Sequence, residues 1–126
     1  MIKGRQLDHV SLHVANLEEA IKFYEEKLGF TVKARFKASY GMEFVYIESN
    51  GMTYELNENR NLQSGKVDHI AYISENIEED YKYFKEQGCT MATDGIGYLD
   101  FLWDNGVYFF MIISPTGEII EFCQKK

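Results

Sequence analysis

The amino-acid sequence contains one pattern twice, at a constant spacing of 60 residues, and this repeat constrains the fold more than any other feature. Asp8-His9-Val10 recurs as Asp68-His69-Ile70, and Asn16-Leu17-Glu18-Glu19 recurs as Asn76-Ile77-Glu78-Glu79. A fixed period indicates a duplicated structural unit. Two copies of this length are too few and too long for a solenoid, in which many short repeats stack. We therefore expect two related modules in a pseudo-symmetric arrangement.

Both copies predict the same succession of elements: a strand, a helix and three further strands. Alternating apolar residues indicate strands, while an asparagine followed three residues later by glutamate indicates the start of a helix, and a glycine its end. In the first copy the predicted strands are Leu7–Val14, Thr31–Ala38, Met42–Glu48 and Thr53–Asn57, with a helix between Asn16 and Gly29. In the second copy they are Val67–Ile73, Cys89–Thr93, Val107–Ile113 and Glu118–Gln124, with a helix between Asn76 and Gly88.

The expected fold class is therefore α+β, with two tandem βαβββ modules whose strands form a curved, mostly antiparallel sheet shaped like a cup. We expect residues 1–126 to form a single domain, with module one at about 5–60 and module two at about 65–125. Asn50-Gly51 and Ser114-Pro115-Thr116-Gly117 are typical of the turns that join the last two strands of each module. Ile96–Trp103 is an insertion in the second copy that adds a strand or a loop.

Charge and composition exclude several classes of partner. The formal net charge of −7 argues against nucleic acid, because binding to phosphates requires clustered positive charge. The uncharged runs are far shorter than a membrane span, and the N-terminus lacks the apolar core of a signal peptide. We expect a cytoplasmic protein in which Cys89 and Cys123 are free thiols.

Strand alternation directs four potential metal ligands away from the faces that pack on the helices. His9 shares a face with Ser11 and His13, and its repeat equivalent is His69. Glu55 and Glu121 lie on the last predicted strand of each copy, between apolar neighbours. A buried carboxylate is costly unless it is paired, and a divalent cation would remove that cost. A lone strand histidine is usually a surface or core residue, but two at equivalent places favour a shared role.

These motifs identify the chain as similar to the vicinal oxygen chelate superfamily. The matching segments are Leu7-Asp8-His9-Val10, Leu28-Gly29-Phe30, Tyr54-Glu55-Leu56, Val67-Asp68-His69-Ile70 and Ser114-Pro115-Thr116-Gly117-Glu118-Ile119-Ile120-Glu121. The superfamily includes glyoxalase I, methylmalonyl-CoA epimerase, extradiol dioxygenases, fosfomycin-resistance enzymes and bleomycin-resistance proteins. The resemblance spans Leu7 to Gln124, and it identifies the fold more specifically than the function, because the fold hosts many chemistries.

The order of ligands resembles glyoxalase I, the lactoylglutathione lyase. The resemblance implies one divalent metal, Ni, Co or Zn with Mn or Fe as further candidates, held by His9, Glu55, His69 and Glu121. It also implies a lyase or isomerase in which the metal chelates two adjacent substrate oxygens and stabilises an enediolate. Glu121 is the expected base, with Glu55 as its counterpart in the other module.

The expected substrate contacts are His13, Asn59, Trp103, Tyr108 and Phe110. Glyoxalase I has an arginine that contacts glutathione where this chain has His13, whereas Asn59 matches a family asparagine. His13 is expected either to bind an anion or to be a polar lining residue. For the aromatic residues of the strands, including Tyr40, Tyr46 and Phe101, an ordinary core position is the favoured interpretation for most.

Two other interpretations stay open at this point. One is another metal-dependent enzyme of the superfamily: an epimerase, a dioxygenase or a thiol transferase that acts on an antibiotic. The other is a protein that binds a small molecule or an antibiotic without turnover. The expected partners are a small-molecule substrate, such as a thiol adduct, and a second copy of the chain in a homodimer.

Overall fold

The computed structural model describes residues 3–58 and 66–126. These residues form two compact units, of which one is His9–Asp68. The other consists of the N-terminal residues through Asp8 together with His69–Lys126. The division follows the sequence repeat closely, because His9 and His69 open the two units.

The first module contains one helix and four strands. In chain order these are β1 (Leu7–Val14), α1 (Leu17–Leu28), β2 (Thr31–Lys37), β3 (Glu43–Ser49) and β4 (Met52–Glu58). The strands lie in the order β2-β3-β4-β1. β1 runs parallel to β4, whereas β2 and β3, and β3 and β4, pair antiparallel. The first and last strands of the module are therefore neighbours.

The second module repeats this plan with one short strand added. Its elements are β5 (Val67–Ile73), α2 (Ile77–Glu86), β6 (Thr90–Met91), β7 (Gly97–Leu99), β8 (Val107–Ile113) and β9 (Ile119–Lys125). The strand order is β5-β9-β8-β6, and β7 pairs with β8 outside this series. β5 is parallel to β9, and β9 is antiparallel to β8. The predicted fold class, α+β with two βαβββ modules, is confirmed.

Each helix is anchored to the last strand of its own module. The side chains of Asn16 and Asn76 accept hydrogen bonds from the amides three residues later, as the predicted N-caps require. The first helical amides are also satisfied: Leu17 N donates to Glu58 Oε2 at 3.1 Å, and Ile77 N donates to Gln124 Oε1 at 2.9 Å. The helices therefore start at fixed points relative to β4 and β9.

Each module has its own apolar core between the helix and the sheet. In the first module the core residues are Val14, Leu17, Ile21, Phe30, Val45, Ile47 and Leu56. In the second module they are Ile77, Phe110, Ile112 and Phe122, and the Phe84 ring stacks on Phe122 at 4.7 Å. Apolar residues of the strands thus alternate with the polar ligand candidates, because successive strand side chains point to opposite faces.

The predicted strand Cys89–Thr93 is shorter in the structure, where β6 covers only Thr90–Met91. The reason lies in Thr93, whose Oγ1 accepts the hydrogen bond of the Met111 amide at 3.0 Å. A side-chain oxygen therefore replaces the backbone carbonyl that would continue the ladder. The insertion Ile96–Trp103 contains the short strand β7, Gly97–Leu99, and continues as turns, so it adds both a strand and a loop.

Within residues 3–58 and 66–126, no helix has the length and apolar character to cross a membrane.

The N-caps give a prediction about stability. Asn16→Ala removes the acceptor for the Glu19 amide and should lower the free energy of unfolding by about 1 kcal/mol. Asn16→Ser keeps an acceptor at this position and should lose less than half as much. The measurement is urea denaturation followed by circular dichroism. Equal stability of the alanine variant and the wild type would contradict the role of the cap.

Candidate metal centre

The first module brings one histidine and one carboxylate together in its interior. β1 and β4 pair in parallel with Ser11 opposite Glu55, and His9 lies two residues before Ser11 on the same strand face. His9 Nε2 is 3.7 Å from Glu55 Oε2, and both side chains are buried, with 5% and 7% of their surface exposed. The distance exceeds that of a hydrogen bond, so the two atoms are close without sharing a proton.

The second module contains a matching pair. β5 and β9 pair in parallel with Ala71 opposite Glu121, and His69 lies two residues before Ala71. His69 Nε2 is 3.8 Å from Glu121 Oε1, and both side chains are again buried. The repeat therefore extends beyond the sequence motifs to the pairing of the ligand candidates.

The residues of each pair fit a divalent metal by their chemistry. Imidazole nitrogen and carboxylate oxygen together suit Zn, Ni, Co, Fe or Mn. A buried carboxylate is costly to hold in apolar surroundings, and a cation next to it removes that cost. Within a pair, a separation of 3.7 or 3.8 Å is small enough for both atoms to approach one ion from different directions.

Glu55 is held in place by a tyrosine on the adjacent strand. Tyr46 lies opposite Glu55 in the antiparallel pairing of β3 and β4, and its hydroxyl donates a hydrogen bond to Glu55 Oε2. The Tyr46 ring also meets the His9 ring edge-on, with the ring centroids 5.6 Å apart. Sequence analysis placed Tyr46 only among aromatic residues of the strands, because the cross-strand register that makes this contact is not visible in the sequence.

His13 belongs to a buried polar network of the first module. Its Nδ1 is 2.7 Å from Asn57 Oδ1, and its Nε2 is 2.8 Å from Asp68 Oδ1. Asn57 Nδ2 donates in turn to Ser11 Oγ at 3.4 Å. Both ring nitrogens of His13 are therefore engaged by protein groups. Of the two roles expected for His13, a polar lining residue and an anion-binding residue, this arrangement favours the first.

The other predicted substrate contacts lie in different places. Asn59 is outside the described residues. Phe110 is fully buried in the second core, where its ring stacks on Phe122 at 5.3 Å, so this side chain belongs to the core and not to a substrate surface. On β8, Met111 lies opposite Glu121, and alternation therefore directs Phe110 to the other face.

Tyr108 shares that face with Phe110, so strand alternation places the predicted substrate contact Tyr108 on the opposite face of the sheet from Glu121. Its ring packs on Tyr98 at 4.8 Å, and both tyrosines line a surface cavity of about 750 Å³. Trp103 follows β7 in a left-handed backbone conformation, φ 57°, and Lys125 Nζ lies 4.0 Å from the centre of its ring. Trp103 therefore contacts the end of β9, four residues after Glu121.

Cys123 is a buried thiol two residues after Glu121. Burial raises its pKa, and the nearby carboxylates of Asp8 and Glu121 raise it further. Its sulfur lies 3.6 Å from the backbone oxygen of Tyr72. A protonated, enclosed thiol of this kind is unreactive. The expectation of a free thiol agrees with the structure for both Cys89 and Cys123.

The sequence matches the model of the Glyoxalase/Bleomycin resistance protein/Dioxygenase superfamily over residues 6–122. The chain therefore belongs to this superfamily. Its members include enzymes that act on small molecules, and many of them use a divalent metal.

Particular relatives cover almost the entire chain. The uncharacterized protein YwbC of Bacillus subtilis (strain 168) is 30% identical over 129 residues, which cover 97% of this chain and 99% of YwbC. The hypothetical protein BH1468 from Bacillus halodurans C-125 superposes with a TM-score of 0.82 at 25% identity, covering 98% of this chain and 96% of the other. Methylmalonyl-CoA epimerase from Mycobacterium tuberculosis superposes with a TM-score of 0.79 at 16% identity, covering 100% and 93%. This last likeness is one of fold.

The polar network around His13 gives a prediction about stability, and the second module shows which apolar residues can replace the network. His13 lies opposite Asn57, and the matching residues of the second module are Ile73 and Cys123. His13→Ile leaves a buried amide without its partner and should lower the free energy of unfolding by about 2 kcal/mol. Adding Asn57→Cys removes the amide that has lost its partner, so the double variant should regain part of the lost free energy of unfolding. Urea denaturation measures both variants. A double variant less stable than His13→Ile would contradict this account.

Proposed function

We propose that this protein is a metal-dependent lyase or isomerase of the glyoxalase I type, with one divalent ion held by His9, Glu55, His69 and Glu121. The observation that carries the proposal is the presence of a buried histidine–carboxylate pair at the same register in both modules. A pseudo-symmetric ligand set built from two such pairs is the pattern that the sequence shares with glyoxalase I.

The coordination numbers of divalent ions favour one shared ion over two separate ones. Ions such as Zn, Ni and Co bind four to six ligands, of which catalytic sites leave one or two positions for substrate or water. A single histidine–carboxylate pair supplies two ligands, which is too few for tight binding. Both pairs together supply four and leave room for two adjacent oxygens of a substrate.

Each of the four residues has a proposed role in the reaction. A divalent metal supplies Lewis acidity that favours an enediolate from a substrate with two adjacent oxygens. His9 and His69 would hold the ion through their ring nitrogens. Glu121 acts as the base that removes the proton beside the substrate carbonyl and returns it to the neighbouring carbon. Glu55 supplies the second negative charge to the metal site. The hydrogen bond that it accepts from the Tyr46 hydroxyl holds its carboxylate in one position.

The substrate we propose is a small molecule with oxygens on two adjacent carbons, such as the hemithioacetal that a thiol forms with a 2-oxoaldehyde. The arginine that contacts glutathione in glyoxalase I has no functional substitute in His13, because Asn57 and Asp68 engage both of its ring nitrogens. Recognition of the glutathione carboxylate through this position is therefore not part of the proposal. Asn59 stays a proposed contact, as does Trp103.

The ligand set also weighs against the alternatives. The dioxygenases and fosfomycin enzymes use two histidines and one carboxylate as metal ligands and have no acidic residue at the position of Glu55. In this chain Glu55 is present and is buried beside His9. Bleomycin-type binding proteins usually lack the ligands altogether. In this chain all four ligand candidates are present and buried, which favours a metal-dependent enzyme over a protein that only encloses an aromatic molecule.

The metal site is tested by substitution of its ligands. Glu121→Gln and His69→Ala should each weaken Zn²⁺ binding by more than roughly 100-fold, because changes next to metal ligands already cost 10- to 100-fold. Glu118→Gln is the matched control, since this exposed glutamate lies three residues before Glu121 and should bind as the wild type does. Isothermal titration calorimetry measures all three. Full retention of binding in both ligand variants would refute the site.

The reaction is tested by turnover of the metal-loaded protein. Methylglyoxal with glutathione, and in parallel with other low-molecular-weight thiols, is supplied to the Ni-, Co-, Zn- and Mn-loaded forms, and thioester formation is followed by absorbance. We expect turnover that requires metal, is lost in Glu121→Gln, and is not restricted to glutathione. Bound metal without turnover of any thiol adduct would exclude the lyase and leave a thioester epimerase to be tested.

A further inference from the structure

Tyr46 contacts both ligand candidates of the first module. Its hydroxyl donates to Glu55 Oε2, and its ring meets the His9 ring edge-on at 5.6 Å. The residue is almost completely buried, with 2% of its surface exposed, and Phe36 packs on the ring at a centroid distance of 5.9 Å. The tyrosine therefore has little freedom to rotate away from the two ligands.

The second module has a different residue at the matching position. Tyr46 lies opposite Glu55 in the pairing of β3 with β4, and Met111 lies opposite Glu121 in the pairing of β8 with β9. A thioether has no proton to donate to a carboxylate. On the other flank, Ser11 lies opposite Glu55 and Ala71 lies opposite Glu121. The two carboxylates thus have the same position in the repeat but chemically different neighbours.

We propose that Tyr46 is a positioning residue that fixes Glu55 as a permanent metal ligand and so makes the two carboxylates of the site unequal. This inference rests on the proposed metal site. The buried hydroxyl donates to Oε2, the same oxygen that lies 3.7 Å from His9 Nε2, so this hydrogen bond restricts the rotation of the carboxylate and holds that oxygen beside His9. Met111, at the matching place in the second module, has no hydroxyl to donate to Glu121, so the two carboxylates differ in this neighbour.

The first experiment measures Co²⁺ affinity and the visible spectrum of the Co²⁺-loaded protein, which reports coordination independently of turnover. Tyr46→Phe removes only the hydroxyl and keeps the ring contact with His9. We expect its Co²⁺ dissociation constant to rise by roughly 10- to 100-fold, with a changed spectrum. Tyr54→Phe is the matched control: it removes the same group one residue from Glu55, on the face that packs in the core, and should behave as the wild type.

A double-variant cycle separates positioning from a general loss of stability. If Tyr46 acts through Glu55, adding Tyr46→Phe to Glu55→Gln should change Co²⁺ affinity by less than about two-fold. An undiminished effect in that background would overturn the proposal, since the tyrosine would then act by another route.

The outcomes also separate this inference from the proposed function. Unchanged affinity and spectrum in Tyr46→Phe, with Co²⁺ bound tightly by the wild type, would overturn the role of Tyr46 and leave the metal site intact. No Co²⁺ binding by the folded wild type would overturn both. If circular dichroism shows that Tyr46→Phe does not fold, the wild-type protein with ¹³C-labelled tyrosine rings is titrated with Zn²⁺ instead. A change in a tyrosine chemical shift that Glu55→Gln abolishes would support the proposal. No change in any tyrosine chemical shift on Zn²⁺ binding would refute it.

Discussion

In each module the first and last strands lie side by side and run parallel, and the position of every ligand candidate depends on this pairing. Ser11 faces Glu55 across β1 and β4, and Ala71 faces Glu121 across β5 and β9. A histidine two residues earlier on the first strand then points to the same side as the glutamate. A shift of one residue in the register would turn the glutamate to the opposite face, into the apolar core.

The same last strands also fix the helices, which explains how the register is maintained. Glu58 and Gln124 come three residues after the ligand candidates Glu55 and Glu121, and therefore lie on the opposite strand face. Each accepts a hydrogen bond from the first amide of its helix. One strand thus carries a potential metal ligand on one side and the anchor of the helix on the other. Packing of the helix on the core and placement of the ligand are consequences of a single register.

The sequence predicted this architecture well where the pattern is local and repeated. β1, β5 and β8 were predicted with their observed bounds, and both asparagine N-caps are confirmed, because alternation and capping depend on residues a few positions apart. The surroundings of the predicted substrate contacts could not be predicted in the same way. The face on which Tyr108 and Phe110 lie depends on the register of β8 against β9, and the partners of His13 are 44 and 55 residues away in the chain. Neither the strand register nor these long-range contacts can be recognised from the hydrophobic periodicity of the sequence.

The case of His13 shows why a family position cannot be interpreted one residue at a time. Buried polar groups are tolerated only when each finds a partner, so such residues occur as sets. In the first module Ser11, His13 and Asn57 form one such set, whereas the second module fills the matching places with Ala71, Ile73 and Cys123. At the place where glyoxalase I has an arginine, this chain has a histidine whose two ring nitrogens contact Asn57 and Asp68. His13 therefore has to be interpreted together with these partners, because a change at any one of them leaves a buried polar group of the set without its contact.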